Sequence, residues 1–178
     1  VCGQGACSEE GLGIWMIFYF TILQVINNLQ QLANNDLLFE LQMSFNKKTV
    51  TNLLAKKLQT LPHLTVVINH AGFPDNNAAA WQANLKIVAK HKQCFIKCSG
   101  WEMNNRNYDA SFMREIINQC VNIFGLSRVM LASNFPLVLF SQPYQALWQQ
   151  YLTDLLLNET ELLALMFNNA KSIYRLNA

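Results

Sequence analysis

Four short apolar runs, each tipped with polar residues, recur along the chain: Leu37–Met43 (LLFELQM), Leu64–His70 (LTVVINH), Cys94–Gly100 (CFIKCSG) and Arg128–Asn134 (RVMLASN). Strands buried on both faces read as continuous Val/Ile/Leu runs, and α/β folds place their chemistry at the carboxyl ends of such strands. The second run shows this most clearly, because its β-branched stretch ends in Asn69-His70 and then breaks at Gly72 and Pro74. After each run the apolar residues shift to helical spacing. Helix 47–60 carries Val50, Leu53, Leu54 and Leu58, and helix 79–91 carries Trp81, Leu85, Val88 and Ala89. Helix 110–124 ends at Gly125, helices near 143–156 and 159–166 follow, and 168–176 adds a last helical turn. The helix at 159 opens on Asn158 with Glu161 three residues on, a capping-box pattern. Upstream, 14–34 is expected to be helical, with Ile22, Val25, Ile26, Leu29 and Leu32 on one face and a break at Asn34-Asn35-Asp36. The expected fold class is therefore α/β: an apolar helix, then four consecutive βα units of about 30 residues, giving a parallel sheet with right-handed crossovers. Such a set makes either a small open sheet or half of an eight-stranded barrel.

Alternation along the strands selects the candidate chemistry. Glu40 and Gln42 share one side of the first strand, and Lys97 and Ser99 share one side of the third. A lysine inside an apolar run either snorkels to solvent or projects into a polar barrel mouth where a ligand pairs with it. Together with Asn69 and His70, and with Ser133 and Asn134, these tips would converge on one mouth. The loop that starts at Trp101 and runs to Asp109 is polar with two aromatics, which suits a loop lying over a site and makes Trp101 a substrate-binding candidate. A histidine at a strand end also serves as a hydrogen-bonded structural residue, Trp81 fits a core position, and His63 fits a loop.

Composition narrows the classes. With 178 residues, 52% hydrophobic and 13% charged, the chain can bury one ordinary core and has an unusually apolar surface or interface. The net charge of +2 is scattered over Lys47-Lys48, Lys56-Lys57 and Lys90-His91-Lys92 without interleaved aromatics, which argues against a nucleic-acid binder. Cys2, Cys7, Cys94, Cys98 and Cys120 form an odd set with no C-x-x-C pair, so they read as reduced thiols of a cytoplasmic protein rather than as metal ligands. The chain opens on Val, with no positive region before the apolar 14–26, and so reads as the interior of a longer frame. That apolar stretch is shorter than the ~20 residues of a membrane span, which favours a core helix or an interface over a membrane. Residues 1–28 are set apart as an atypical apolar segment, and 29–178 as a partial barrel domain. No Gly-rich phosphate loop follows any strand, which argues against a flavodoxin-like binder.

VVINHAGFP, the Trp81-led helix, CFIKCSG, FGLSRVMLASNFP and FNNAKSIYRL, in this order over Leu29–Leu176, resemble the amidohydrolase-related metal-dependent hydrolases. That group is the lactonase and decarboxylase branch of the amidohydrolase superfamily. The resemblance implies a (β/α)8 TIM barrel of which these strands look like the fifth to eighth, so the chain would be its C-terminal half. It implies that His70 helps to hold a metal or the substrate, and that the general base or metal ligand of the last-strand motif is here Asn134. An amide accepts no proton at neutral pH, so Asn134 would orient water or substrate instead. The family's first-strand His-x-His has no counterpart, since His63, His70 and His91 are the only histidines. The implied cofactor is one divalent ion, zinc or manganese, or none; the implied reaction is hydrolysis of a small lactone or related cyclic ester. Lys97 would face the developing oxyanion, with Glu40, Gln42, Ser133 and Trp101 contacting a small-molecule substrate. The competing expectation is a catalytically inactive fragment that self-associates through its unpaired sheet edges.

Overall fold

The computed structural model describes residues 23–74, 78–103 and 105–176. The expectations for 1–22, including Cys2, Cys7 and most of the apolar stretch, lie outside the described residues. The chain runs α1 (Leu23–Asn34), β1 (Phe39–Leu41), α2 (Lys48–Thr60), β2 (Val66–Ile68), α3 (Ala78–Val88), β3 (Cys94–Cys98), α4 (Ala110–Phe124), β4 (Val129–Leu131) and α5 (Tyr144–Asp154). Next come α6 (Glu159–Leu163), a π turn (Ala164–Asn168) and α7 (Asn169–Ile173).

All four strands are parallel in the order β1-β2-β3-β4, as four successive βα units require. Each strand is shorter than its apolar run, because the ladder thins to single bonds beyond it: Asn69 N–H donates to the Leu41 carbonyl (2.9 Å) and Ala132 N–H to that of Cys98 (3.0 Å). The polar tips thus leave the sheet and are free of its regular geometry.

One face of the sheet carries Leu41, Val66, Ile68, Cys94, Ile96, Cys98, Val129 and Leu131, and it packs against the helices in a single core. Val50, Leu54 and Leu58 come from α2, Trp81, Leu85 and Val88 from α3, and Met113, Ile117 and Cys120 from α4. By alternation and register, Glu40, Val67, Phe95, Lys97 and Met130 belong to the opposite face, which in a barrel is the lumen. Cys94, Cys98 and Cys120 are free, buried thiols, the small hydrophobes expected of them.

Helix boundaries follow local chemistry. Asp109 caps α4 by accepting from Phe112 N–H (2.8 Å), and Gly125 closes it at φ 82°. The capping box at α6 is complete, with Asn158 Oδ1 accepting from Glu161 N–H (3.0 Å) and Glu161 Oε2 from Asn158 N–H (3.1 Å). The last two expected helices are instead one helical run from Glu159 to Ile173, which passes through the π turn without a break. The Ile14–Asn34 helix is seen from Leu23 on; Leu29 is buried, and Val25 and Leu32 pack against the core.

The amino ends of the strands are fastened by side chains. Arg128 donates from Nη1 to the carbonyls of Ala89 (3.0 Å), His91 (3.2 Å) and Cys94 (3.2 Å), and from Nε to that of Phe124 (2.8 Å). Asn169 Nδ2 donates to Leu126 (2.8 Å) and Val129 (2.7 Å), and Gln93 Nε2 to Leu58 (3.1 Å). These bonds tie the ends of helices and the loops after them to the strands that follow, through main-chain oxygens.

Candidate functional site at the strand carboxyl ends

β2 delivers His70 into a tight turn. His70, Ala71 and Phe73 have φ of 54°, 51° and 54°, and Gly72 70°, a run of left-handed residues that persists only where surroundings dictate it. Trp81 supplies part of that constraint: fully buried, it donates its indole N–H to the Ala71 carbonyl (2.8 Å). His70 Nδ1 then meets Ser99 Oγ at 3.1 Å. Gly100, at φ +75°, makes room for this, since a Cβ there would stand 2.7 Å from His70 Nδ1. His70 with Phe73, Pro74, Ser99 and Trp101 lines a small hollow with room for about one water molecule. Burial pushes the imidazole below its ordinary pKa, with Lys97 adding to the drop and Glu102 and Glu40 opposing it, so His70 is neutral at pH 7.

The other expected residues are distributed around this centre. Asn134 sits at the carboxyl end of β4 at φ 57° and donates from Nδ2 to Glu102 Oε1 (2.5 Å). Ser133 Oγ accepts from Phe135 N–H (3.2 Å). Trp101 is only 3% exposed; its ring edge walls the hollow while its indole N–H donates to the Tyr151 hydroxyl (2.8 Å), which donates on to the Ala132 carbonyl (3.0 Å). Gln42 stands exposed beyond the end of β1.

Lys97 and Glu40 make a second cluster on the face opposite the core, so the lysine neither reaches out to solvent nor stands alone. Lys97 Nζ bonds Glu40 Oε1 at 2.9 Å, the Tyr174 hydroxyl donates to the same oxygen (2.5 Å), and Asn69 Nδ2 donates to Oε2 (3.2 Å). Burial alone would raise the Glu40 pKa, but the bonds from Tyr174, Lys97 and Asn69 outweigh it and hold the carboxyl below its usual range.

Glu102 was not singled out in the sequence. It is 6% exposed, and its Oε2 has no partner among the described residues, so it is a buried carboxylate at the site whose acceptor capacity is half used. The available signal was an acidic residue two positions beyond the CFIKCSG run, next to Trp101. Tyr174 was also missed, because a residue so far along the chain gives no local sign of lying against β1.

A family model described as Amidohydrolase matches residues 47–176 of this chain. The chain belongs to the amidohydrolase family. Protein y4mH of Sinorhizobium fredii is 27% identical over 150 residues, which is 82% of this chain and 50% of that protein. The chain thus spans about half the length of the curated relative it matches. Among solved structures, an amidohydrolase from Burkholderia multivorans with bound zinc superposes with a TM-score of 0.78 at 19% identity, covering 89% of this chain and 60% of the other. A putative 2-pyrone-4,6-dicarboxylic acid hydrolase from Pseudomonas putida gives 0.73 at 21%, covering 88% and 58%. A dihydroxybenzoic acid decarboxylase from Polaromonas with bound manganese gives 0.62 at 12%, covering 90% and 56%. These likenesses show the fold: four consecutive βα units of a (β/α)8 barrel.

Two of these neighbours carry a metal ion, which tests the donor set here. Among the described residues no group of three or more His, Cys, Asp or Glu could hold a metal ion. His70 lines the hollow and Glu102 lies within charge range of it, a pair short of the three protein ligands of an ordinary catalytic zinc site. The described residues therefore do not fit a divalent ion by themselves. None of the described helices is long and apolar enough to cross a membrane.

Proposed function

We propose that this chain is a hydrolase that opens a small lactone or related cyclic ester with water. The observation that carries this reading is His70, neutral, tied through Nδ1 to Ser99 and set beside a hollow that takes about one water. In the tautomer whose Nδ1–H donates to Ser99 Oγ, Nε2 is the acceptor. In the proposed step Nε2 takes a proton from water, the water oxygen bonds to the carbonyl carbon, and the ring C–O bond breaks. The departing oxygen then takes the proton back from the imidazolium. Asn134, held by Glu102, orients water or substrate with its amide, and Lys97 faces the developing oxyanion. Glu40, Gln42, Ser133 and Trp101 are assigned to substrate contact. The described donors make no metal site, so every step is written on the protein's own groups. A 2-pyrone is itself a cyclic ester, so the Pseudomonas putida neighbour's description agrees with this substrate class.

A second reading, an association module without catalysis, has its own observation. Among the described residues β1 and β4 each pair on one side only, and Phe135, Leu139 and Phe140 beyond β4 are 62%, 54% and 62% exposed. One experiment separates the two: hydrolysis of a lactone panel by the chain and by His70→Ala, with and without zinc or manganese, beside light scattering. The enzyme reading expects activity that falls by about 100-fold or more in His70→Ala. Equal rates in both proteins would overturn it. A folded, self-associating and inactive chain would establish the module.

A further inference from the structure

Tyr174 is a half-buried residue just past the last helical run. It follows α7, yet its hydroxyl donates to Glu40 Oε1 (2.5 Å) on β1, and the Lys97 ammonium lies 5.5 Å from its ring centroid. Glu40 and Lys97 both stand on the sheet face opposite the helix-packed core, so a side chain from the end of the helical run occupies the polar part of the lumen face. Its neighbour Arg175 clamps the turn to Asp36, just ahead of β1, donating from Nη2 to Oδ1 (2.6 Å), and from Nη1 to Oδ2 and to the backbone carbonyl (3.3 Å). That clamp is open to solvent, with side chains 59% and 73% exposed, and exposed pairs hold weakly. The arrangement is therefore tight at the phenol and loose at its fastening.

We propose that Glu40, Asn69 and Lys97 form a binding site for a small phenol, that Tyr174 is its built-in occupant, and that residues 174–176 are a strap which a free phenol displaces. The ligand class follows from the occupant: a hydroxyl to give to the Glu40 carboxylate, and an aromatic face for the Lys97 ammonium. A partly buried carboxylate needs partners for its remaining lone pairs beside the ammonium, and a phenol hydroxyl is one that fits. The phenol completes them, with Asn69 holding the second carboxylate oxygen at 3.2 Å. Burial and Glu40 push the Tyr174 phenol up, which keeps it protonated and donating at neutral pH. The inference does not need the hydrolase reading, because binding alone tests it.

The probe is p-cresol, the tyrosine side chain as a free molecule, titrated calorimetrically into the intact chain and its variants. Asp36→Ala, which removes the carboxylate from the exposed clamp and leaves the main-chain bond, should bind it about two- to fivefold more tightly than the wild type, and Tyr174→Ala at least about tenfold more tightly. Adding Glu40→Gln to Tyr174→Ala should abolish the gain, and toluene, which lacks the hydroxyl, should bind Tyr174→Ala about tenfold more weakly than p-cresol. Equal binding of toluene and p-cresol, or a gain that survives Glu40→Gln, would overturn the phenol site. An unchanged affinity in Asp36→Ala would overturn the strap. Should Tyr174→Ala fail to fold, Asp36→Ala with and without Glu40→Gln makes the same comparison.

Discussion

The two polar clusters of this chain are built by opposite means. Around His70 the backbone does the shaping: a run of left-handed residues, a glycine that yields its Cβ space to an imidazole, and a buried tryptophan that pins one carbonyl. Around Glu40 the backbone is plain strand, and side chains do everything: one carboxylate collects an ammonium, a phenol and an amide. The first cluster leaves capacity unspent, with a neutral imidazole and an unpartnered Glu102 oxygen; the second pairs its charges and leaves only the Asn69 amide oxygen without a partner among the described residues. A cluster fixed by backbone shape should be sensitive to side-chain volume and indifferent to salt, and a cluster of mutual charges the reverse.

The heaviest blow to the first cluster is Trp81→Ala. It empties a fully buried position and frees the Ala71 carbonyl, so urea unfolding should show a loss of about 3–5 kcal/mol. A smaller and more local break is Gly100→Ala, which adds a Cβ into the imidazole at a left-handed φ and should cost about 1–3 kcal/mol. The same change should shift the His70 ring proton resonances, while Gly125→Ala, with no atom near its added Cβ, should leave them in place.

Acid should separate the clusters next. Burial lowers the His70 pKa below its value in the unfolded chain, 6.5, so the unfolded state binds the proton first. Stability from this group is whole above pH 6.5 and declines as pH falls toward the folded value, and urea titrations should show His70→Gln losing less stability on acidification than the wild type. Glu40 is also lowered, from 4.5, so its contribution is lost only further down, as pH falls below 4.5. The least effect is expected from Lys97→Met. The Glu40 side chain of that pair is 40% exposed, so solvent screens it, and a change of about 0–1 kcal/mol that shrinks further at high salt should appear in the same titration. A loss as large as that of Gly100→Ala would erase the distinction drawn between the clusters.

The fold was largely legible because burial writes itself in local composition. The four apolar runs, the end of α4 at Gly125 and the capping box at Asn158 are all signals confined to a few residues, and the structure has each of them. Strand ends were read too long, because a polar tip such as Asn69-His70 looks like strand in sequence yet leaves the ladder to make a turn. The site was legible in part: His70, Ser99 and Asn134 were recognisable from their runs. Glu102 was hidden because an acidic residue in a polar loop resembles any solvated one, and only the packing of Trp101 against Tyr151 draws it inside. Lys97 posed the right question, but its answer lay with Tyr174, and contacts between residues so far apart leave no periodicity to read.

The fastening of the strands' amino ends has a consequence for how such a chain can change. Arg128, Gln93 and Asn169 bind main-chain oxygens, a target every residue type presents alike, and they do so at the end of the sheet away from His70. The frame is therefore anchored through atoms that no substitution in the opposite loops can remove. Whole loops at the carboxyl ends could be exchanged between relatives while the anchors hold, and chemistry in this architecture can drift faster than shape.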